Sequence, residues 1–269
     1  MTNATKQPDS APGYDAFMGR WSRNLAPQFV AWLSVAPHRR WLDVGCGTGA
    51  LTAAIQYGAA PCEVWGVDPS AEYVKYAEAA LPKAHCQFLV GDAQALPDRL
   101  EGFDATVSGL ALNLIPDYTR ALAEMIRVTR PGGIVAVYVW DFANGMLLLR
   151  LLWDAATQLD AAARTFDQGN LYPICKPDPL RELFIGAGLS AVETQALEIP
   201  MVFRDFDDYW RPLAAGLGYA PGYVASLPPA QRQQLRERLR TMLPTRDDGS
   251  ISLTARAWAV RGLRGSRTA

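Results

Sequence analysis

Histidine is nearly missing from this chain. Two, His38 and His85, occur in 269 residues, so chemistry built on paired histidines has little to draw on. Cysteine is sparse as well: Cys46, Cys62, Cys86 and Cys175 follow no zinc-ligand spacing. They read as isolated, reduced thiols of a cytoplasmic protein, and no metal site is expected. No run of 18 apolar residues free of charge occurs, which excludes a transmembrane helix. The leading MTNATKQPDSAPG lacks the basic-then-apolar order of a signal peptide. Positive charge is not in excess either, with 26 Lys and Arg against 27 Asp and Glu. Nucleic-acid binders carry a basic surface, and no nucleic-acid partner is expected. Arg256, Arg261, Arg264 and Arg267 crowd the tail without acidic neighbours in sequence, and read as a solvated end or a small local patch.

What is present is the composition of a folded core: 49% apolar residues against 20% charged ones. Residues 1–13 read as a flexible lead and 14–37 as a helical lid, which Pro27 is expected to break into two pieces. Over 38–141 the pattern repeats as strand, turn, helix. Short apolar strands are predicted at Arg40–Val44, Glu63–Val67, Cys86–Val90, Phe103–Ser108 and Ile134–Trp140, the last entered by a Pro131-Gly132-Gly133 turn. Asp117 is the predicted N-cap of a helix over 118–129. Strands alternating with helices predict a doubly wound α/β fold, a mostly parallel sheet covered on both faces. Beyond it, 142–177 reads as a helical cap insertion with a helix over 142–164. The core continues over 178–200, with a strand at 190–199. A second cap insertion spans 201–249, a final strand lies within 250–262, and 263–269 reads as a flexible end. The insertions show no strands of their own.

The most informative segment is Asp43-Val44-Gly45-Cys46-Gly47-Thr48-Gly49. Alternating glycines let a strand end turn sharply and a ligand approach the backbone closely, and the next helix offers unpaired N–H groups. Asp68-Pro69-Ser70 closes the second strand and Asp92-Ala93-Gln94 the third, both at carboxyl ends, where ligands bind in this fold class. Asp68 suits two ribose hydroxyls and Asp92 an adenine amino group. The alternative for each is an N-cap. Asp43 either organises the loop by accepting backbone N–H bonds or stands beside the ligand.

As a set, LDVGCGTG, VWGVDPS, FLVGDAQALP, FDATVSGLALNLIPD and RPGG closely resemble the successive motifs of class I S-adenosylmethionine-dependent methyltransferases, and in particular their small-molecule members. The resemblance spans about residues 38–141. It implies a Rossmann-like, seven-stranded sheet whose last strand is antiparallel. It also implies S-adenosyl-L-methionine as methyl donor and S-adenosyl-L-homocysteine as product. Gly45, Cys46, Gly47, Thr48 and Gly49 would line the amino-acid end of the donor, Asp68, Pro69 and Ser70 the ribose, and Asp92, Ala93 and Gln94 the adenine. Ser108 and Gly109 would border the methionine part and the acceptor mouth. The leader YDAFMGRWSR resembles a lid in which Tyr14 closes on the donor and Arg20 or Arg23 pairs with its carboxylate; those arginines could equally face water.

The acceptor side is less defined. Phe17, Trp21, Asn113, Trp140, Phe142, Phe166, Phe203, Tyr209, Trp210 and Tyr223 are the candidate substrate contacts, with packing of the cap onto the sheet as the other reading. Both histidines fall at the amino ends of strands, and Asn113 stands where many relatives place one. No catalytic residue is therefore assigned, and an acceptor reacting through N, S, C or phenolic O is expected. The sequence is consistent with a small-molecule partner and a monomer or homodimer. The rival readings are an RNA or protein methyltransferase, a nicotinamide-dependent oxidoreductase and a non-catalytic donor-binding protein. The glycine spacing and Asp92 weigh against the oxidoreductase.

Overall fold

A computed structural model describes residues 13, 15–82, 85–216 and 218–265. A π-helical turn, Asp15–Gly19, leads into α1 (Arg20–Leu33). The chain continues as β1 (Arg40–Val44), α2 (Ala50–Gly58), β2 (Glu63–Asp68), α3 (Ala71–Ala80), β3 (Cys86–Val90), β4 (Phe103–Gly109), α4 (Tyr118–Val128) and β5 (Thr129–Trp140). There follow α5 (Leu147–Leu159), α6 (Pro177–Gly186), β6 (Ser190–Phe203), α7 (Phe206–Ala214), α8 (Tyr219–Ser226), α9 (Pro229–Met242) and β7 (Ile251–Leu263). The strands form one seven-stranded sheet in the order β3-β2-β1-β4-β5-β7-β6, with six parallel strands and an antiparallel last one.

The local reasons are visible residue by residue. Trp41, Leu42 and Val44 of β1 are fully buried, as a strand covered on both faces requires. Ser70 caps α3 by accepting from the Tyr73 amide, and Asp117 caps α4 by accepting from the Arg120 amide. Leu122 and Met125 are the buried stripe of α4. The strand order places β1 between β2 and β4, so the crossovers leave in opposite directions there. The carboxyl ends of β1 and β4 therefore flank the topological switch point, where such sheets bind ligands.

Several boundaries depart from the sequence reading. Pro27 lies inside an unbroken α1, and the break between the two helical pieces falls at Gly19 instead. Proline removes one amide donor, but burial of Trp21, Leu25, Phe29, Val30 and Leu33 holds the helix together. Pro131-Gly132-Gly133 lies within β5, because Gly132 donates to the Arg264 carbonyl and Arg264 donates back to Gly133. The helix foreseen over 142–164 is α5 followed by a 3₁₀ segment at Ala161–Phe166, capped by Asp160. The sixth strand runs on to Phe203, across the boundary drawn at 200. The tail arginines do not form a solvated patch. Arg256 pairs with Asp141, Arg261 pairs with Glu193 and donates to the carbonyls of Trp32 and Leu33, and Arg264 donates to those of Arg127 and Thr129. Their acidic and carbonyl partners come from segments far away in sequence. Arg267 lies outside the described residues.

Packing divides the described residues into two compact units. The larger comprises Trp21–Val139, Ile174–Leu197 and the chain from Trp258 on. The smaller comprises the residues up to Arg20, Trp140–Pro173 and Glu198–Ala257. In the smaller unit the π-helical turn packs on α7, and α5 packs on α9. Arg150 is its clasp: it grips both Asp167 oxygens, at 3.1 and 2.6 Å, and donates to the carbonyls of Phe142 and Ala143. Such a bidentate pair fixes orientation as well as distance.

Candidate active site

Three conditions meet at the end of β1. Gly45 has φ +75°, and a Cβ there would lie 2.6 Å from the Ala111 Cβ, so any side chain would collide with the segment after β4. Gly47 also has a positive φ, but nothing stands within 4 Å of where its Cβ would be. The loop is thus pressed against its neighbours at Gly45 and open at Gly47. Gly49, at φ +87°, is the N-cap of α2. Cys46 and Thr48 are buried between the glycines.

Asp68, at the end of β2, turns toward this loop. Its Oδ2 accepts from the Gly47 amide at 2.9 Å and its Oδ1 from the Ser70 amide at 2.9 Å. Asp43 is completely buried, and Thr52 Oγ1 donates to its Oδ2 at 2.7 Å. Its Oδ1 has no hydrogen-bond partner among the described residues, and neither has the buried Ser108 Oγ at the end of β4. That hydroxyl lies 3.9 Å from the position of a Gly45 Cβ. Burial pushes the Asp43 carboxyl up to about 7, with Thr52 opposing and the neighbouring Asp68 adding to the rise. Burial also raises Asp68, against the pull of the Ser70 and Gly47 amides, and drives the Cys46 thiol well up. Two crowded carboxyls and two orphaned buried oxygens make a site that favours positive charge and hydrogen-bond donors.

At the end of β3, Asp92 is exposed and accepts from the Gln94 amide at 2.8 Å and from its side chain at 3.1 Å. Those bonds hold its carboxyl below the usual range. Ala93 is buried beside it, while Pro69 is exposed. Asn113 is half-buried in a 3₁₀ turn, Leu112–Leu114, and Arg23 stands on the exposed face of α1. His38 and His85 precede β1 and β3, at their amino ends.

The sequence offered no signal for what surrounds the end of β4. Gly109 needs no unusual φ; it is crowded by Tyr138 of β5. A Cβ at 109 would lie 2.6 Å from the Tyr138 Oη and 2.8 Å from its Cζ. The Tyr138 ring rests 4.5 Å from that of Phe29 on α1. Leu110 follows with φ +60°, held by its amide donating to the Tyr138 carbonyl at 2.8 Å. A leucine in that region is strained by about 1–2 kcal/mol, and such strain concentrates at functional sites.

The remaining candidates belong to the smaller unit, where they fall into separate clusters. Arg20 lies over the Phe203 ring at 5.0 Å and pairs with Asp208 at 3.5 Å. Phe203 meets Tyr209 edge-on, and the fully buried Tyr209 donates to the Leu148 carbonyl at 3.0 Å. Trp210 stacks on Phe206, and Phe142 meets Tyr172. Tyr223 touches both Trp153 and Phe166, the last of these 43% exposed. Phe17 and Trp140 are buried, as is Trp21 in the larger unit. Tyr14 lies outside the described residues.

A tight glycine bend beside two carboxylates at a topological switch point lies where ligands bind in open α/β sheets. Residues 42–137 match the family model described as "Methyltransferase domain", and the chain carries a methyltransferase domain of the class I, S-adenosylmethionine-dependent kind. Trans-aconitate 2-methyltransferase of Deinococcus radiodurans is 34% identical over 165 residues, 60% of this chain and 61% of that one. Demethylmenaquinone methyltransferase of Renibacterium salmoninarum is 36% identical over 137 residues, 48% and 54% of the two chains. The match therefore spans less than two thirds of either curated relative. Among solved structures, the YcgJ protein of Bacillus subtilis superposes with a TM-score of 0.58 at 18% identity, covering 92% of this chain and 99% of that one. At that identity the likeness concerns the fold.

Proposed function

We propose that this chain transfers a methyl group from S-adenosyl-L-methionine to a small organic acceptor reacting through N, S, C or phenolic O, in the cytoplasm. The reading is carried by the orphaned Asp43 Oδ1 and Ser108 Oγ beside Gly45, the oxygens that a donor's ammonium and its ordered water would satisfy. When bound, the donor supplies the activated methyl as a sulfonium. Gly47 leaves room for its amino-acid tail. Asp68 offers carboxylate oxygens to the ribose, and Asp92, Ala93 and Gln94 border the adenine. Arg20, Arg23 and Tyr14 remain candidates for the methionine carboxylate. The enzyme's remaining task is to align acceptor, methyl and sulfur and to keep water out.

A small acceptor is supported by the balanced charge of the chain and by two relatives named for small organic acceptors, trans-aconitate and demethylmenaquinone. The aromatic clusters of the smaller unit are the proposed acceptor contacts. Calorimetry with S-adenosylmethionine, S-adenosylhomocysteine and NAD tests the donor: binding of the first two without NAD is the expected outcome. Transfer of labelled methyl from the donor, offered small acids, amines and phenols beside RNA and protein, then tests the acceptor. Label recovered in RNA or protein alone would replace the small-molecule reading.

A further inference from the structure

The reaction needs a group that holds the acceptor's nucleophilic atom in line with the methyl, and the sequence supplies no histidine after β4. The structure brings a phenol there instead. Gly45 presses on Ala111, and Ser108 borders Gly45, so the backbone that follows β4 lies against the glycine loop. Gly109 lies within that segment, and the Tyr138 Oη occupies the space where its side chain would be. The register pairs Asp43 with Val107 and Gly109 with Tyr138. Residues two apart along β4 share a face, so the buried carboxyl and the phenol stand on the same side of the sheet. Tyr138 is 1% exposed and held from three directions: its ring by Phe29, its hydroxyl edge by Gly109 and its carbonyl by the Leu110 amide. A hydroxyl held this way is pre-organised and shielded from bulk water, and in such low-dielectric surroundings its hydrogen bonds are stronger.

We propose that Tyr138 is the acceptor-positioning residue: its Oη accepts a hydrogen bond from the N–H or O–H of the acceptor and points that atom's lone pair at the methyl. This rests on the methyl-transfer reading and narrows it, since an amine or a phenol brings such a proton and a thiolate or a carbanion does not. In the transfer, the acceptor lone pair forms the bond to the methyl carbon, and the electron pair of the broken S–C bond returns to sulfur. The acceptor's proton then leaves to water. Tyr138 keeps its own proton throughout.

The test needs no acceptor. Sinefungin carries an amine where the sulfonium methyl would be, on a carbon that replaces the sulfur, so its ammonium should donate to Tyr138 Oη, whereas S-adenosylhomocysteine has no group there. Tyr138→Phe keeps the ring against Phe29 and removes only the oxygen. Calorimetry should show sinefungin weakened about tenfold and S-adenosylhomocysteine changed less than twofold. Equal losses for both, or no loss for either, would overturn the proposal. In wild-type protein with ¹³Cζ-labelled tyrosine, sinefungin should shift the Tyr138 resonance relative to the S-adenosylhomocysteine complex. Identical spectra overturn the proposal whether or not the variant folds. Failure of wild-type protein to bind S-adenosylhomocysteine would instead strike at the donor assignment beneath it.

Discussion

The end of β1 and the aromatic cap solve different problems with different grammar. At the glycine loop, polar atoms meet partners delivered by strand order alone: Asp68 reaches Gly47, and Thr52 reaches Asp43 one helical turn into α2. In the smaller unit the decisive contacts join segments far apart in sequence. Tyr209 with Leu148 and Arg256 with Asp141 are examples. The first region leaves two buried oxygens, Asp43 Oδ1 and Ser108 Oγ, without a partner among the described residues; the second is tied by long-range bonds, though Trp153 Nε1, Gln168 Oε1 and Arg232 Nε are unmatched there too. What marks the loop is the setting: its unmatched atoms are acceptor oxygens that flank an open glycine bend at a topological switch point, where ligands bind in this fold class.

The largest test of that contrast is Asp68→Ala. Its carboxylate accepts from the Gly47 amide of the loop, and hydrogen bonds to charged groups contribute about 1.5–3 kcal/mol each. The variant should bind S-adenosylhomocysteine about 100-fold more weakly while keeping its circular dichroism. Unchanged calorimetric affinity would remove Asp68 from the site. Arg150→Met attacks the other region. It strands a mostly buried carboxylate, Asp167, and uncaps two carbonyls, costing about 2 kcal/mol. Thermal melts should fall by roughly 4–8 °C, with donor affinity held within twofold. A parallel loss of donor affinity would show that the two regions are not energetically separable.

The same contrast explains what could be read from sequence. The strands over 40–109, the glycine loop, Asp68, Asp92 and the Ser70 and Asp117 caps were legible because each depends on neighbours within a few residues or on strand order. The unbroken α1 across Pro27 was not, because tertiary burial of its apolar face outweighs a missing amide. The tail arginines were misread because Asp141, Glu193 and the carbonyls of α1 and α4 are distant in sequence. Tyr138 escaped notice for a related reason. Gly109 was visible as a glycine, but its cause lies on the neighbouring strand, in a register that sequence spacing does not fix.

A smaller effect is expected from acid and base. The Asp43 carboxyl is raised to about 7 in the folded chain, against about 3.9 when unfolded. The folded state therefore holds the extra proton between those values. Stability of the donor-free protein should fall as pH rises from about 4 to 7, by at most about 1.4 kcal/mol per pH unit. Melts at pH 5 and 7.5 should show the higher midpoint at pH 5, and Asp43→Asn should flatten the difference. A cationic donor tail beside Asp43 stabilises its ionised form, so donor affinity should rise with pH across the same window. A wild-type midpoint that climbs with pH, with no change in Asp43→Asn, would mean the carboxyl is ionised in the empty site.

The smallest expected change comes from Tyr209→Phe. The hydroxyl is completely buried, burial raises its ionisation far above the phenol range, and it donates to the Leu148 carbonyl in the first turn of α5. Removing a buried donor whose acceptor carbonyl also serves a helix should cost about 1 kcal/mol. The ring still fills its place against Phe203 and Phe206. If Tyr209 serves only to tie α7 to α5, stability should drop by that amount while donor binding and turnover of any acceptor found stay level. A fall in turnover without a fall in stability would move Tyr209 from the packing of the cap to the acceptor, and the division between a binding loop and a packing cap would have to be redrawn there.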